Sequence, residues 1–242
     1  MVPYTESVPR LARGFAVTVP LLVTYFDRLP PLNPGDDEEL WAAGAGPLVQ
    51  TFKDEVRDKY SEGTLGRLLS ADDVRTRRAA ALALGLVGTM GCNQQLAARL
   101  RDDDPLVQRL ASDALWEVWF RGGTAEENRA LQQAVRETEP AARKAALDDL
   151  VARAPEFAEA RNQRAIWYFK QGQYPKAISD CEVVLRLNPV HFGAAAGMGQ
   201  CFLKLKKPRA ALRAFRQALD INPTLDHLHD TIRALREALD SE

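Results

Sequence analysis

The sequence contains few of the residues that build cross-links or metal centres. Three cysteines and three histidines occur among its 242 residues, and the cysteines show no paired spacing. Disulfide frameworks and zinc sites need such clusters, so the composition argues against both and suits a reducing cytoplasm. His227 and His229 fall on different sides of a predicted helix, which is poor geometry for sharing one metal ion. We therefore expect no metal and no cofactor.

Long uncharged segments are also scarce. The segment from Phe15 to Phe26 holds no charge and follows Arg10 and Arg13, so it has some features of a targeting signal. It is too short to span a bilayer, and no small-residue cleavage site follows it. We predict a buried helix bent near Pro20, with an export signal as the alternative, and no membrane partner.

What the sequence does contain is an internal repeat of 34 residues between residues 158 and 223. The matched pairs are Ala177 and Ala211, Cys181 and Phe215, Val184 and Ala218, Leu187 and Ile221, and Pro189 and Pro223. Together with Tyr168, Gly172 and Tyr174 in the first copy, and Gly199 and Phe202 in the second, this pattern resembles the tetratricopeptide repeat (TPR), a helix-turn-helix unit of that length.

The resemblance implies two antiparallel helices in each copy. The first helices should cover about residues 158–171 and 192–205, and the second helices about 175–187 and 208–221. Small residues such as Gly199 are expected where the two backbones cross, because a glycine inside a helix is otherwise disfavoured. Residues 224–239 fit a capping helix with one apolar stripe.

A second repeat, with an offset of 31 residues, precedes the first. Its matched pairs are Leu69 and Leu100, Asp73 and Asp104, Arg78 and Arg109, Ala80 and Ala111, Ala83 and Ala114, Leu84 and Leu115, and Val87 and Val118. This pattern resembles the short HEAT-like repeat, also a helix pair. The resemblance implies that Asp73 and Arg78 of one repeat, and Asp104 and Arg109 of the next, form a ladder of charge-assisted contacts between repeats.

The predicted fold is an all-α, right-handed α-solenoid of helical hairpins, HEAT-like and then TPR-like. No stretch reads as a credible strand. We expect helix to resume near Glu38 and to be divided again at Gly44, Gly46 and Pro47. The predicted units are an N-terminal helical segment (1–63), HEAT-like repeats (64–121), a linking hairpin that is a degenerate TPR (122–154), two TPRs (155–223) and a capping helix (224–242).

Three aromatic residues, Trp116, Trp119 and Phe120, end the second HEAT-like unit. They provide more aromatic surface than one repeat needs, so we expect them to pack at the junction with the next module. An exposed platform for a ligand is the alternative.

Candidates for catalysis are weak, and we predict that the protein is not an enzyme. His191 follows a helix-ending proline and is interpreted as a solvated turn residue. Cys181 and Cys201 are interpreted as buried apolar residues. Cys92 lies in a turn where we expect exposure, but no neighbouring base would activate it.

The TPR resemblance implies a binding site instead, because in that family the first helices line a concave groove that holds an extended peptide or a partner helix. Asn162, Gln163 and Gln200 would bond the partner's backbone. The alternative is that the small residues only pack against the capping helix. Gly197 and Thr231 stand where a carboxylate clamp needs Asn and a basic residue, which argues against that mode. The implied groove residues are Glu159, Asn162, Gln163, Ile166, Phe169, Lys170, Gly193, Ala196, Gly197, Gln200, Leu203 and Lys204.

The charge is unevenly distributed, although the whole chain carries only -1. Residues 155–221 hold eleven Lys and Arg against five Asp and Glu, a balance of +6. Lys204, Lys206, Lys207 and Arg209 cluster in one turn, which would attract an acidic peptide, an RNA backbone or the acidic remainder of the chain, or is simply solvated. Nucleic acid is disfavoured as a partner because only Phe202 lies nearby as an aromatic platform.

From these features we predict a non-catalytic, cytoplasmic adaptor or scaffold that binds a peptide or helix of a partner protein in the TPR groove. The first alternative is an RNA- or polyanion-binding accessory protein that uses the basic turn from Lys204 to Arg209. The second is a structural homo-oligomer, formed if an uncapped N-terminal face stacks on another copy.

Overall fold

A computed structural model describes residues 20–31 and 38–240, with side chains of the second range described from residue 45 onward. The described residues form helices and no strand, so the fold is all-α. One 3₁₀ turn, Met90–Cys92, lies between the fourth and fifth helices. The α-helices are α1 (Leu21–Phe26), α2 (Glu38–Lys59), α3 (Glu62–Leu68), α4 (Val74–Val87), α5 (Asn93–Arg99), α6 (Pro105–Phe120), α7 (Ala125–Arg136), α8 (Pro140–Arg153), α9 (Ala158–Lys170), α10 (Tyr174–Leu187), α11 (Phe192–Lys204), α12 (Pro208–Ile221) and α13 (Asp226–Asp240).

The N-terminal helices differ from the prediction in one respect. Helix α1 begins directly after Pro20, and the part of the predicted bent helix before Pro20 lies outside the described residues. The predicted division of the next segment is wrong, since α2 continues through Gly46 and Pro47. Pro47 lies on the exposed face of α2, where water can bond the carbonyl that lacks an amide donor. None of the described helices is both long and apolar enough to cross a bilayer.

Helices α3 and α4 pair, as do α5 and α6, and the two pairs pack on each other. Asp73 and Asp104 cap α4 and α6 by accepting the amide hydrogens of Thr76 and Val107 at 2.8 and 2.9 Å. This explains why an Asp recurs at the offset of 31 residues, because short polar side chains stabilise helix N-termini. The 31-residue period therefore marks the start of a helix in each pair.

One predicted contact between the pairs is present, and a second was missed. Arg78 donates to Asp104 at 2.9 Å, which confirms that step of the ladder. Asp73 instead bonds within its own helix, at Thr76. Beside these residues, the buried side chains of Arg77 and Asp102 form a two-point ion pair at 2.9 and 3.0 Å. In the sequence, Arg77 and Arg78 are adjacent, and the next repeat contains three consecutive Asp residues at positions 102–104. This pattern could have predicted the second contact.

Helices α9 to α12, which correspond to the two 34-residue copies, match the predicted bounds closely, because their turns repeat at the same interval as their sequence. Gly172 and Lys206, 34 residues apart, both adopt left-handed backbone conformations, with φ of 70° and 54°. Each donates its amide to the carbonyl three residues earlier, in Phe169 and Leu203. Such left-handed residues end helices by satisfying their last carbonyl groups. The turn is therefore the same in both copies.

Close packing within the second copy also follows the prediction. A Cβ atom added to Gly199 would lie 2.5 Å from the ring of Phe215, so only glycine at this position lets α11 and α12 pack so closely. Helix α13 covers the open side of this hairpin with Leu228 and Ile232, both buried. The capping-helix prediction is thereby confirmed for its apolar stripe.

The helix pair α5–α6 also contacts helices α9 to α12 directly, beyond the covalent link through α7 and α8. Asn222, at the end of α12, donates to Ser112 of α6 at 3.4 Å. Arg101 bonds the carbonyl of Asp220. Asn93 of α5 donates to Asn188, which ends α10, at 2.9 Å. The chain thus folds back so that α5 and α6 lie against the ends of the TPR helices.

Candidate partner-binding groove

A small apolar hollow lies between α9 and α11, the first helices of the two 34-residue copies, and α6 closes one side of it. Its volume is about 150 Å³. Ile166 and Phe169 of α9 face Gly197 and Gln200 of α11 across the hollow, and all four residues are partly accessible. The lining residues are Trp116, Asn162, Ala165, Ile166, Phe169, Ala177, Cys181, Gly193, Gly197, Gln200 and Cys201.

Trp116 is the contribution of α6 to this hollow. Its indole lies against Gly193, where any added Cβ atom would overlap the ring. By contrast, a Cβ atom on Gly197 would meet only the Cys181 sulfur, at 4.0 Å. The two glycines therefore have different roles, since Gly193 makes room for Trp116 and Gly197 leaves the hollow open.

Three of the predicted groove residues are buried, and of these only Asn162 borders the hollow. The buried Glu159 carboxylate accepts hydrogen bonds from the amides of Asn162 and Gln163 at 3.1 and 2.7 Å. The Glu159 side chain is 0% exposed. We correct the prediction that Asn162 and Gln163 bond a partner's backbone, because their side-chain amides are already engaged with Glu159.

His191 completes this buried cluster, and the interpretation of His191 as a solvated residue is wrong. Its Nε2 lies 2.9 Å from Glu159, while Nδ1 accepts the amide hydrogen of Ala194 at 3.1 Å. Because Nδ1 acts as an acceptor, the ring proton is on Nε2 and is donated to Glu159. Trp119 stacks on the His191 ring with centroids 4.0 Å apart and excludes water from that side.

The tryptophans at the end of α6 therefore form the junction with the 34-residue repeats. Trp119 is 1% exposed and donates its indole hydrogen to Asn93 at 2.8 Å. Trp116 packs edge-on against both His191 and Phe192, with ring centroids 5.5 Å apart in each case. The prediction of junction packing is confirmed, and Trp116 additionally keeps one partly accessible face that lines the hollow.

The remaining predicted groove residues fall into two groups. Ala196 and Leu203 are half-buried and pack in the apolar cluster that includes the capping helix α13, as the alternative interpretation of the small residues expected. Lys170 and Lys204 occupy the same position in the two repeats, at the ends of α9 and α11, and both are exposed. The basic side chains therefore lie at one end of the groove.

The thiols near the groove are packing groups. Cys181 and Cys201 are buried, and burial raises their pKa values to about 12 and about 11. Cys92 is buried as well, which corrects the expectation that it is exposed, and burial raises its pKa to about 12. Thiols with such pKa values are poor nucleophiles near neutral pH. Within the described part of the chain, no three His, Cys, Asp or Glu residues are placed to hold a metal ion together.

Comparison with known proteins assigns the helices that form this groove to a repeat family. The sequence profile of the tetratricopeptide repeat family matches residues 140–192 and residues 168–226. A TPR repeat-containing protein of Rhizobium etli is 34% identical over 149 residues, which make up 60% of this chain and 73% of that protein. The chain belongs to the tetratricopeptide repeat family. In this TPR protein the matched residues run from α8 to the start of α13, so they include both walls of the groove.

Two further similarities are more limited. The Superkiller complex protein 3 of Homo sapiens is 27% identical over 77 residues, or 32% of this chain and 5% of that protein. The solved structure of the first TPR of Spaghetti, bound to an HSP90 peptide, superposes with a TM-score of 0.41 and 20% identity. This alignment covers 48% of this chain and 88% of the Spaghetti chain.

Proposed function

We propose that this TPR protein is a non-catalytic adaptor that holds a segment of a partner protein in the concave groove between α9 and α11. The observation that carries the proposal is the apolar hollow bordered by Ile166, Phe169 and Gly197, which the chain leaves open between two tightly packed hairpins. TPR proteins typically mediate protein–protein interactions, which agrees with such a surface.

The groove offers the two kinds of contact that a peptide needs. Ile166 and Phe169 provide apolar surface that a partner's side chain would remove from water. The Gln200 amide has no hydrogen-bond partner within the described part of the chain, so it is available to bond a peptide backbone. Of the predicted residues, we retain Ile166, Phe169, Lys170, Gln200 and Lys204 as contact residues.

Glu159, Asn162 and Gln163 have a different role in the proposal. Their mutual hydrogen bonds fix the N-terminal half of α9 against His191, the N-cap residue of α11, so they hold the two groove walls at a constant separation. A rigid groove loses less conformational entropy on binding than a mobile one, which favours affinity.

The proposal is tested by quantitative affinity capture from cells of the source organism, at low and at high salt. The wild type is compared with Phe169→Ala and with Phe26→Ala, a matched control because Phe26 is a half-buried phenylalanine outside the TPR helices. We expect one protein partner to be lost with Phe169→Ala at both salt concentrations and kept with the control. Partners that survive Phe169→Ala but dissociate in high salt would move the function to the basic turn.

We further propose that α3 to α6 form two HEAT-like repeats, that α7 and α8 form a degenerate TPR, and that the predicted domain limits apply. The Arg78–Asp104 contact between equivalent helices supports the first part. A reducing compartment such as the cytoplasm is consistent with three free thiols. Limited proteolysis tests the proposed domain limits, because the first cleavages should occur between the predicted units.

A further inference from the structure

We infer that the groove contains a composite pocket, walled by Trp116 of α6, which takes one aromatic or large aliphatic side chain from an acidic segment of the partner. The inference rests on the proposed function and names the chemistry of the partner. It also assigns a ligand contact to a helix outside the TPR helices.

The first step is the construction of the pocket. Trp116 comes from α6, whereas Phe169 and Gly197 come from the two TPR first helices, so the pocket exists only where the two parts of the chain meet. Trp116 is held in place from behind, because its ring packs against Phe192 and fits closely over Gly193. A wall fixed in this way is preorganised for a ligand and does not need to be ordered on binding.

The second step is size. The pocket volume of about 150 Å³ equals that of an apolar protein cavity known to accept a benzene molecule, about 150 Å³. It is therefore large enough for one aromatic ring or one branched aliphatic side chain, and too small for two. The side-chain amides at the pocket are those of Asn162 and Gln200, and Asn162 is already bonded to Glu159.

The third step is charge. Lys170 and Lys204 end the two helices that form the pocket walls, and neither forms an ion pair with any residue that the structure describes. Lys206 and Lys207 follow directly in the exposed turn. No described acidic side chain lines the pocket, while residues 155–221 carry a balance of +6. Acidic residues that flank the apolar anchor would meet this uncompensated charge.

The experiment uses a library of random displayed peptides, selected on the full-length wild type and then measured on two variants. Gly197→Leu fills the pocket from α11, where only the Cys181 sulfur is near. Gly46→Leu is the matched control, because Gly46 is also a helical glycine with no atom within 4 Å of an added Cβ. Melting temperatures and circular dichroism verify that both variants are folded. If Gly197→Leu does not fold, Phe169→Ala replaces it.

The expected result is enrichment of peptides with one aromatic, Leu or Met residue next to Asp or Glu. Their binding should weaken at least about tenfold in Gly197→Leu and stay unchanged in Gly46→Leu. Peptides that bind Gly197→Leu as well as wild type, or that carry basic flanks, would overturn the composite pocket and leave groove binding intact. A selection that enriches no peptide would contradict the pocket and the proposed groove together.

Discussion

The Glu159 carboxylate accepts a hydrogen bond from Nε2 of His191 at 2.9 Å, and both side chains are completely buried between α9 and α11. This contact joins two successive TPR hairpins by a polar group, at a place where Trp119 excludes water. A buried polar group that loses its hydrogen-bond partner destabilises the folded state, so the stability of the groove depends strongly on Glu159.

Glu159→Ala should therefore destabilise the protein strongly. The change leaves Asn162, Gln163 and His191 without their common acceptor, and each unsatisfied buried donor costs about 1–3 kcal/mol. We expect the free energy of unfolding, measured by urea titration, to fall by more than about 3 kcal/mol. Glu156→Ala is the control, since Glu156 is exposed and should change stability by less than about 0.5 kcal/mol. A loss below about 1 kcal/mol for Glu159→Ala would contradict the buried network.

Two neighbouring glycines should respond in opposite directions to the same substitution. Gly193→Ala places a methyl group into the Trp116 ring, so we expect a loss of about 1–3 kcal/mol, as for other overpacked sites. Gly197→Ala meets no close atom and should stabilise α11 by about 0.4–1 kcal/mol. Thermal or urea unfolding measures both variants. Equal effects of the two substitutions would show that α6 does not lie over Gly193.

Lys206 is the described residue other than glycine with a positive φ angle, 54°. Lys206→Gly should relieve the strain of the left-handed backbone conformation, which costs about 1–2 kcal/mol. The greater conformational freedom of glycine in the unfolded chain offsets part of this gain in stability. We expect a net gain of up to about 1 kcal/mol in urea unfolding. Lys204→Gly removes the same charge from the last turn of α11 and should instead cost up to about 1 kcal/mol. A loss in both variants would argue against the left-handed turn.

Stability should decrease in acid through Asp104. The hydrogen bond from Arg78 is the main cause that holds the pKa of this carboxyl below its ordinary value. Since the folded-state pKa is depressed, the contribution is complete above the unfolded pKa of about 3.9 and is lost as the pH falls through the folded value. Asp104→Asn, which keeps a capping side chain, should flatten the fall in unfolding free energy between about pH 5 and pH 2. Asp58→Asn, at an exposed carboxylate, should keep the wild-type profile.

The thiols offer a check on the packing of the groove. Because all three are buried and their pKa values are raised to between about 11 and about 12, a thiol-specific reagent at pH 7.5 should react slowly with the native protein. Unfolding in urea should expose all three to rapid reaction. A fast phase in the native state, assigned by mass spectrometry to Cys181 or Cys201, would contradict the burial of these two thiols.

The sequence predicted the TPR helices because the helix-ending pair Asn188-Pro189 recurs 34 residues later as Asn222-Pro223. Gly172 and Lys206 also end their helices in the same left-handed conformation, although their residue types differ. The continuity of α2 through Pro47 could not be predicted, since a helix that tolerates proline has no local signature. His191 is buried because α6 folds back onto the repeats and brings Trp116 against it. These two residues are about 75 positions apart, and the repeat period carries no information about such a contact. Only the surplus aromatic surface of Trp116 and Trp119 indicated that this junction exists.

Site-specific photo-crosslinking in cells tests the groove most directly. A crosslinking amino acid is placed at Lys170, at the end of the groove, or at Arg186, an exposed position on the second helix α10. We predict one discrete crosslinked protein from position 170 and none from position 186, and we predict that Gly197→Leu abolishes that product. Equal labelling from both positions, or a product that persists in Gly197→Leu, would contradict the assignment of partner binding to the groove between α9 and α11.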